Sequence, residues 1–353
     1  MSKEDKLMSK KYTVLKINKE VIPNSRMVDS PYMKTRESEE LTKAGAELVE
    51  VSAANNVEVI QALKNADIIL LGNAPITRWI IESAPKCVAI ISGGVGYDPI
   101  DVQASTDNNI LVVNNPAFEW CVEQVSNHAI VLMLALAKKT KILDKLVSEG
   151  RWADAKKGQS PMGSIYGQTL GIVGCGVIGR MVARKAQCFG MKIIGYDPYL
   201  AQPYLAKENG ISLTSLADVL KADYVSLHPD LNETSFHIIN DKAFGYMKPS
   251  AYLINTSRGK VVDEGALVKA LQQKQIAGAG LDVFEVEPLP KDSPLTKMEN
   301  VILSPHSASY SDYSFSLMPI NIAREVGRIL AGKWPLNPIN KGIKPRVTLI
   351  KDN

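Results

Sequence analysis

Gly174, Gly176 and Gly179 stand in the spacing GxGxxG, and Asp197 follows at the end of the next apolar run, MKIIGYD. The strand-like LGIV precedes the glycines and the helix-like RMVARKAQCFG follows them. In such a strand, turn and helix the first glycine permits the tight turn, the second lets the backbone approach a pyrophosphate, and the third lets the helix pack on the strand. Amides at the helix start, here at Val177 and Ile178, then face the phosphates. An aspartate at the end of the following strand accepts hydrogen bonds from an adenosine ribose and repels a 2′-phosphate. The residues after it, PYL, offer no arginine in exchange. The pattern predicts NAD. The bland alternative is a glycine turn in an unrelated α/β fold beside a surface aspartate, and it must place all four residues in register by accident.

Three later segments follow strand-like runs: NTSRGKVVDEGAL with Thr256 and Arg258, GLDVFEVEP with Asp282 and Glu287, and LSPHSAS with His306. Ligands of open α/β sheets bind beyond the carboxyl ends of strands, so these segments belong at the nucleotide face. Arginine, carboxylate and histidine together suit hydride transfer at the α-carbon of a 2-oxo or 2-hydroxy acid. Arginine grips a carboxylate through two parallel hydrogen bonds and polarises a carbonyl. Histidine moves a proton near neutral pH, and a neighbouring carboxylate fixes its tautomer. Taken singly, Arg258 could be a surface residue, Glu287 a solvated turn residue and His306 a satisfied loop histidine; their joint placement argues otherwise.

The remaining histidines read more quietly. His128 begins an apolar helix and reads as structural, and His237 as a packing or turn residue. His228 ends the run DYVSLH, where contact with the dinucleotide is the alternative to a structural role. Cys175 lies inside the glycine turn as one small side chain. With Cys87, Cys121 and Cys188 it forms no CxxC or CxxH pair, so neither a zinc site nor a disulfide framework is expected.

These residues need two domains to position them, and 353 residues with 45% apolar content suffice for both cores. A formal charge of +4, from 41 basic and 37 acidic residues spread along the chain, suggests neither a nucleic-acid nor a membrane partner. The polar, lysine-bearing start has no apolar signal region, and no apolar run is long enough to span a bilayer. A cytoplasmic protein is expected. From Tyr12, apolar bursts alternate with amphipathic stretches: TVLKI, AELVEV, DIILLG, CVAIIS and LVVNN read as strands, SEELTKAG and VEVIQALKNA as helices. One long helical pattern runs from about Glu119 to Gly150; its apolar residues on more than one face suggest an interdomain or subunit contact. A second βα series begins at Thr169 and passes through DYVSLH, AYLINTS, AGAGLDVF and NVILSPH, and after Ser309 the chain is helical again, through PINIAREVGRILAGKW. No repeat of fixed period is evident.

In GGVGYDPID, LGIVGCGVIGR, YLINTSRGKVVDEGALVKAL, GLDVFEVEP and SPHSA the chain resembles the D-isomer-specific 2-hydroxyacid dehydrogenases, from about Tyr12 to Pro345. The resemblance implies an α/β fold of two Rossmann-like or flavodoxin-like domains with parallel sheets. The NAD-binding domain (116–309) would be inserted in the substrate domain (1–115 and 310–353), with hinges near 115 and 309. It implies that Arg258 binds substrate carboxylate and carbonyl, that His306 is the acid/base, and that Glu287 hydrogen-bonds His306. Asp282 would lie on the nicotinamide side, and His228 and Thr256 would join the cofactor contacts. Gly93, Gly94, Val95 and Gly96 would offer backbone amides to the substrate carboxylate. Hydroxypyruvate, glyoxylate and 3-phosphohydroxypyruvate are the substrates implied, and a homodimer the assembly. YDPYL, LHPDLNETSFHIIN and SPHSASYSDYS look like the branch of the C-terminal-binding corepressors and their bacterial relatives. A dinucleotide-sensing binding protein with little turnover is therefore the competing reading. Ser309 stands where that branch usually has tryptophan. Ser92 stands where many relatives have a basic residue, so a phosphorylated substrate would need Lys34, Arg36 or Arg78 instead.

Overall fold

The computed structural model describes residues 12–19, 31–115, 121–200 and 202–351, the side chains of 31–34 excepted. The lysine-rich start and Glu119 lie outside them. The chain divides into two compact units, Met1–Cys121 with Ser311–Asn353, and Val122–Tyr310. Among the described residues no helix is long and apolar enough to cross a membrane.

The first unit is a parallel sheet of β1 (Tyr12–Asn18), β2 (Ala46–Ser52), β3 (Ile68–Leu71), β4 (Ala89–Ile91) and β5 (Leu111–Val113), in the order β2-β1-β3-β4-β5. Continuous apolar runs such as AII and LVV are buried along their whole length, as strands covered on both faces must be. Leu15, Ile17, Ile69, Ile90 and Val112 point into one core. Val14, Ile68, Leu70, Ile91 and Val113 point into the other, where Ile322, Val326 and Ile329 of helix Asp312–Leu330 meet them. That helix begins after Ser309, as expected: Ser311 and Ser314 close a capping box at its start, and Pro319 is carried inside.

The second unit is a seven-stranded parallel sheet in the order β12-β11-β10-β9-β6-β7-β8. Its strands are β6 (Thr169–Val173), β7 (Lys192–Tyr196), β8 (Ser212–Leu213), β9 (Tyr224–Leu227), β10 (Tyr252–Asn255), β11 (Gly278–Leu281) and β12 (Val301–Leu303). The chain leaves β6 toward β7 on one side and returns to β9 on the other. This switch of direction opens a crevice at the carboxyl end of β6, where the glycine cluster stands.

The single long helix expected from about Glu119 to Gly150 is divided. Glu123–Ala137 ends before Lys139, whose φ of 52° no α-helix accommodates, and Thr140–Ser148 follows. The break falls in KKTK, which carries no apolar side chain to hold the helix on the core. The apolar faces of the first part have a local cause. Ala129, Ile130, Leu132, Met133 and Leu136 pack with Leu170, Ile172 and Ile254 in this unit's own core. Thr140–Ser148 buries no residue.

An edge strand exposes unpaired backbone groups, and β5 is covered by the chain's closing segment. Ile339 N donates to Val112 O at 2.8 Å and Asn114 N to Asn337 O at 3.3 Å. The Asn340 side chain accepts from Val112 N at 2.9 Å and donates to Ile110 O at 2.9 Å. Asn340→Ala leaves both strand groups buried and unpaired. The expected loss is about 1–3 kcal/mol of stability, measured by urea unfolding followed by far-UV circular dichroism; an unchanged midpoint would show that the edge is held without Asn340.

Candidate active site

Each glycine of the turn is required for a different reason. Gly174 has φ +89°, and a Cβ there would stand 2.6 Å from the His228 carbonyl carbon; at Gly179 it would stand 2.1 Å from Gly174 O. At Gly176 a Cβ would meet nothing within 4 Å, so the backbone is open to a ligand. Gly176 caps helix Val177–Gln187 without any side-chain acceptor, which leaves the first amides of the helix for an anion. Asp197 is held beside the turn. Its carboxylate accepts from Cys175 N at 2.9 Å and from Tyr199 N at 3.0 Å.

Two buried polar atoms near the same end of the sheet lack partners, His228 Nδ1 beyond β9 and Thr256 Oγ1 beyond β10. The His228 Nε2 is 2.9 Å from Ser226 Oγ. Although the residue as a whole is only half-buried, its Nδ1 is enclosed, and burial lowers its pKa to about 3. The ring is neutral. Open turn, uncapped helix, a carboxylate held beside the turn and two unpaired polar atoms fit a dinucleotide. Cys175 is packed and inert: burial, then the charge of Asp197, pushes its thiol up to about 12. Among the described residues no cluster of three histidine, cysteine or acidic side chains could hold a metal.

Glu287 and His306 meet as a pair, with Oε2 to Nδ1 at 2.7 Å. Oε1 of Glu287 accepts from Phe284 N at 3.0 Å. Burial acts to raise the Glu287 pKa, but the hydrogen bond and charge of His306, the Phe284 amide and the charge of Arg258 together bring it below the ordinary value. An ionised carboxylate only accepts, so Nδ1 of His306 carries a proton and Nε2 is the atom left for chemistry. Arg258 lies close enough for its charge to act on Glu287, and its Nη1 donates to Ser257 O at 2.7 Å. Gly259 makes this proximity possible: a Cβ there would lie 1.9 Å from the carbonyl of Phe284. Two glutamates then lace the loops together. Glu264 N donates to Glu285 Oε1 at 3.0 Å, and Glu285 N to Glu264 Oε2 at 3.2 Å.

Asp282 is fully buried and its carboxylate is engaged by the segment that carries His306. Oδ1 accepts from Ser304 Oγ at 2.6 Å and Ser307 N at 2.9 Å, and Oδ2 from Ala308 N at 2.8 Å. The His306 amide donates to Asp282 O at 2.8 Å, and His306 has φ 49°. Two histidines that read as structural from sequence reach these loops. His128 Nε2 is 2.8 Å from Ser304 Oγ, and His237 Nε2 is 2.7 Å from Glu285 Oε1. For His128 the only sequence signal was a histidine at the start of an otherwise apolar helix.

In the first unit, the loop Gly93–Gly96 has its carbonyls tied down. Gly94 O accepts from Asn115 N at 2.9 Å, Val95 O from Asn114 Nδ2 at 2.8 Å and Gly96 O from Ser92 Oγ at 2.7 Å. The Gly94 amide also reaches Ser92 Oγ, at 3.4 Å. Beside it, Asn115 Nδ2 is buried without a partner, a donor that the sequence reading passed over. Arg78 is paired with Asp107 at 3.0 Å and Glu82 at 3.4 Å. The Lys34 side chain lies outside the described residues.

Residues 130–308 match the family described as D-isomer specific 2-hydroxyacid dehydrogenase, NAD binding domain. The chain is 42% identical over 288 residues to a glyoxylate reductase of Korarchaeum cryptofilum, covering 81% of this chain and 86% of the relative. It is 35% identical to a D-3-phosphoglycerate dehydrogenase of Methanocaldococcus jannaschii over 89% of this chain, spanning only 60% of that longer protein. Among solved structures it is similar to D-lactate dehydrogenase from Aquifex aeolicus complexed with NAD and lactic acid. That similarity has a TM-score of 0.75 and 30% identity, covering 90% of this chain and 96% of the other.

The enclosed Nδ1 of His228 predicts acid sensitivity. Its folded pKa of about 3 lies below the ordinary 6.5, so between these values the unfolded chain binds a proton that the folded one excludes. Stability should therefore fall as pH drops from about 6.5 toward about 3. In thermal unfolding, His228→Asn should lose less melting temperature than the wild type between pH 7 and pH 4. Parallel curves would show that His228 is not the group responsible.

Proposed function

The chain belongs to the D-isomer-specific 2-hydroxyacid dehydrogenases, NAD-dependent enzymes that interconvert 2-oxo acids and D-2-hydroxy acids, and from that premise we propose that it reduces glyoxylate or hydroxypyruvate. The contact that carries the assignment of roles is the pair His306 Nδ1 to Glu287 Oε2 at 2.7 Å, with Arg258 close by. Arg258 holds the substrate carboxylate through its planar fork and draws electron density from the carbonyl. The protonated Nε2 of His306 donates to the oxygen as negative charge develops on it, and Glu287 keeps the ring aimed from the other nitrogen. NADH, when bound, supplies the hydride. Gly174, Gly176, Val177, Ile178 and Gly179 hold its pyrophosphate, Asp197 its adenosine ribose, and His228 and Thr256 contribute their unpaired atoms. Gly93, Gly94, Val95 and Gly96 offer amides to the substrate carboxylate. Asp282 acts by holding the loop of His306.

The choice among substrates rests on charge. Ser92 occupies the position of a cation in many relatives and its hydroxyl is spent on Gly96 O; Arg78 is engaged by two carboxylates. A phosphorylated acid would find neither of these two positions offering it a cation, whereas glyoxylate and hydroxypyruvate carry a single carboxylate, which Arg258 meets. The chain works as a homodimer through the second unit, where Val131, Val147, Trp152 and Tyr166 are exposed apolar side chains and the helix that carries Val147 buries nothing.

The test is NADH oxidation across glyoxylate, hydroxypyruvate, pyruvate and 3-phosphohydroxypyruvate, each beside an NADPH control. Glyoxylate or hydroxypyruvate should be preferred, with NADH favoured over NADPH because of Asp197. Tight NADH binding without reduction of any acid would favour a dinucleotide sensor. In the same assay Arg258→Ala should lower kcat/KM by roughly a hundredfold or more while leaving NADH affinity within about threefold. Equal losses would place Arg258 outside the substrate site. Light scattering at micromolar concentration should report a dimer, and a monomer would remove the assembly from this proposal.

A further inference from the structure

We infer that His128 is a positioning residue for His306, acting through Ser304 and Asp282; the inference rests on the dehydrogenase reading above. The directions of the hydrogen bonds follow from what each group can do. Asp282 is buried and its carboxylate accepts two backbone amides, so it remains an acceptor toward Ser304 Oγ at 2.6 Å. The single hydroxyl proton of Ser304 is therefore committed to Asp282. Only lone pairs of Ser304 Oγ are left for His128, and Nε2 of His128 at 2.8 Å must carry the proton it shares. Nε2 also stands 3.6 Å from Asp282 Oδ1, so its N–H dipole supports the carboxylate directly.

The donor comes from a rigid support. His128 sits on helix Glu123–Ala137, whose next turns, Ala129, Ile130, Leu132 and Met133, are buried in the core of the sheet. At the other end of the network is a segment that needs support. His306 has φ 49°, a conformation costly for a residue with a side chain, and its amide and the next two all end on Asp282. With His128 donating, the Ser304 hydroxyl has one orientation and Asp282 keeps its shortest contact. Without that donor the hydroxyl is free to turn, the carboxylate loses part of its compensation, and the segment relaxes. The atom displaced is Nε2 of His306. A shift of about 1 Å in a reacting group is enough to cost up to ~100-fold in rate.

The experiment compares His128→Leu, His128→Gln and Ser304→Ala with the wild type. Readouts are kcat and KM for glyoxylate or whichever 2-oxo acid the wild type reduces best, the NADH dissociation constant by fluorescence, and the melting temperature. His128→Leu and Ser304→Ala should each lower kcat by ~10- to 100-fold, with KM for the acid and NADH affinity within about threefold. His128→Gln, which keeps an N–H donor, should recover most of kcat. The double variant should be no worse than the poorer single one, since both break one network. If His128→Leu does not fold, Ser304→Ala carries the same comparison. Unchanged kcat in a folded variant, a glutamine variant no better than leucine, or kcat and NADH binding falling together would overturn the inference. A wild type that reduces no 2-oxo acid overturns the dehydrogenase reading, and this inference with it; turnover by the wild type with unaffected variants overturns this inference alone.

Discussion

A carboxylate removed from water must be compensated, and Asp282 has none of its surface exposed. The compensation comes from residues 304–308: one hydroxyl and two amides on the side chain, with the His306 amide on the Asp282 carbonyl. A short segment that must deliver several donors to one buried group has little conformational choice. It passes through a left-handed residue at His306, and the imidazole leaves on the side where Glu287 waits. The geometry of the candidate acid/base is thus fixed by a charge that need not react, and Asp282 holds β11 and β12 in register with the chemistry beyond them.

Arg258 arrives by a different constraint. The backbone after β10 can lie against the backbone after β11 only if one of the two meeting residues lacks a side chain, and Gly259 is that residue. Close approach would still allow sliding. Glu264 and Glu285, each accepting the other's amide, remove that freedom, and His237 approaches Glu285 from a third loop. The arrangement has an electrostatic consequence: burial first, and then the charge of Glu285, raises the Glu264 pKa above its ordinary value. Arg258 stands one residue before Gly259 and Glu287 two after Glu285, so the close approach and the clamp together set where the two loops carry them.

How much of this could be read in advance divides along a physical line. The strands were legible because parallel strands covered on both faces are continuous apolar runs, as in DIILL, LVV and YLIN. The glycine turn was legible because three positions with separate steric demands leave a spaced signature. The meeting of Arg258, Glu287 and His306 could be expected only from strand order and resemblance; spacing along the chain carries no distance between loops of three strands. His128 was illegible. A histidine on an apolar helix has the same sequence signal whether it fills space or donates to a loop 176 residues away. The division of the long helix at Lys139 was missed because the apolar pattern resumes after KKTK in nearly the same period, though that second face covers nothing in its own unit.

No repeat of fixed period is visible in the sequence, yet the two units begin alike. In each, the first strand is flanked by the second on one side and by a later strand on the other, β2-β1-β3 and β7-β6-β9. In each, a threonine amide at the start of that first strand donates to an aspartate just before the later one: Thr13 N to Asp67 Oδ2 and Thr169 N to Asp223 Oδ2, both at 2.9 Å and both 54 residues apart. The shared device sits at the amino ends of the strands, where a carboxylate satisfies the first backbone donor of the sheet. The difference sits at the carboxyl ends. After β6 come three glycines and a helix without a side-chain cap, whereas NKEVIPNSRMVDS, which follows TVLKI of β1 in the sequence, contains no glycine. One scaffold thus supports both units, and the glycine turn is found in the one that matches an NAD-binding domain.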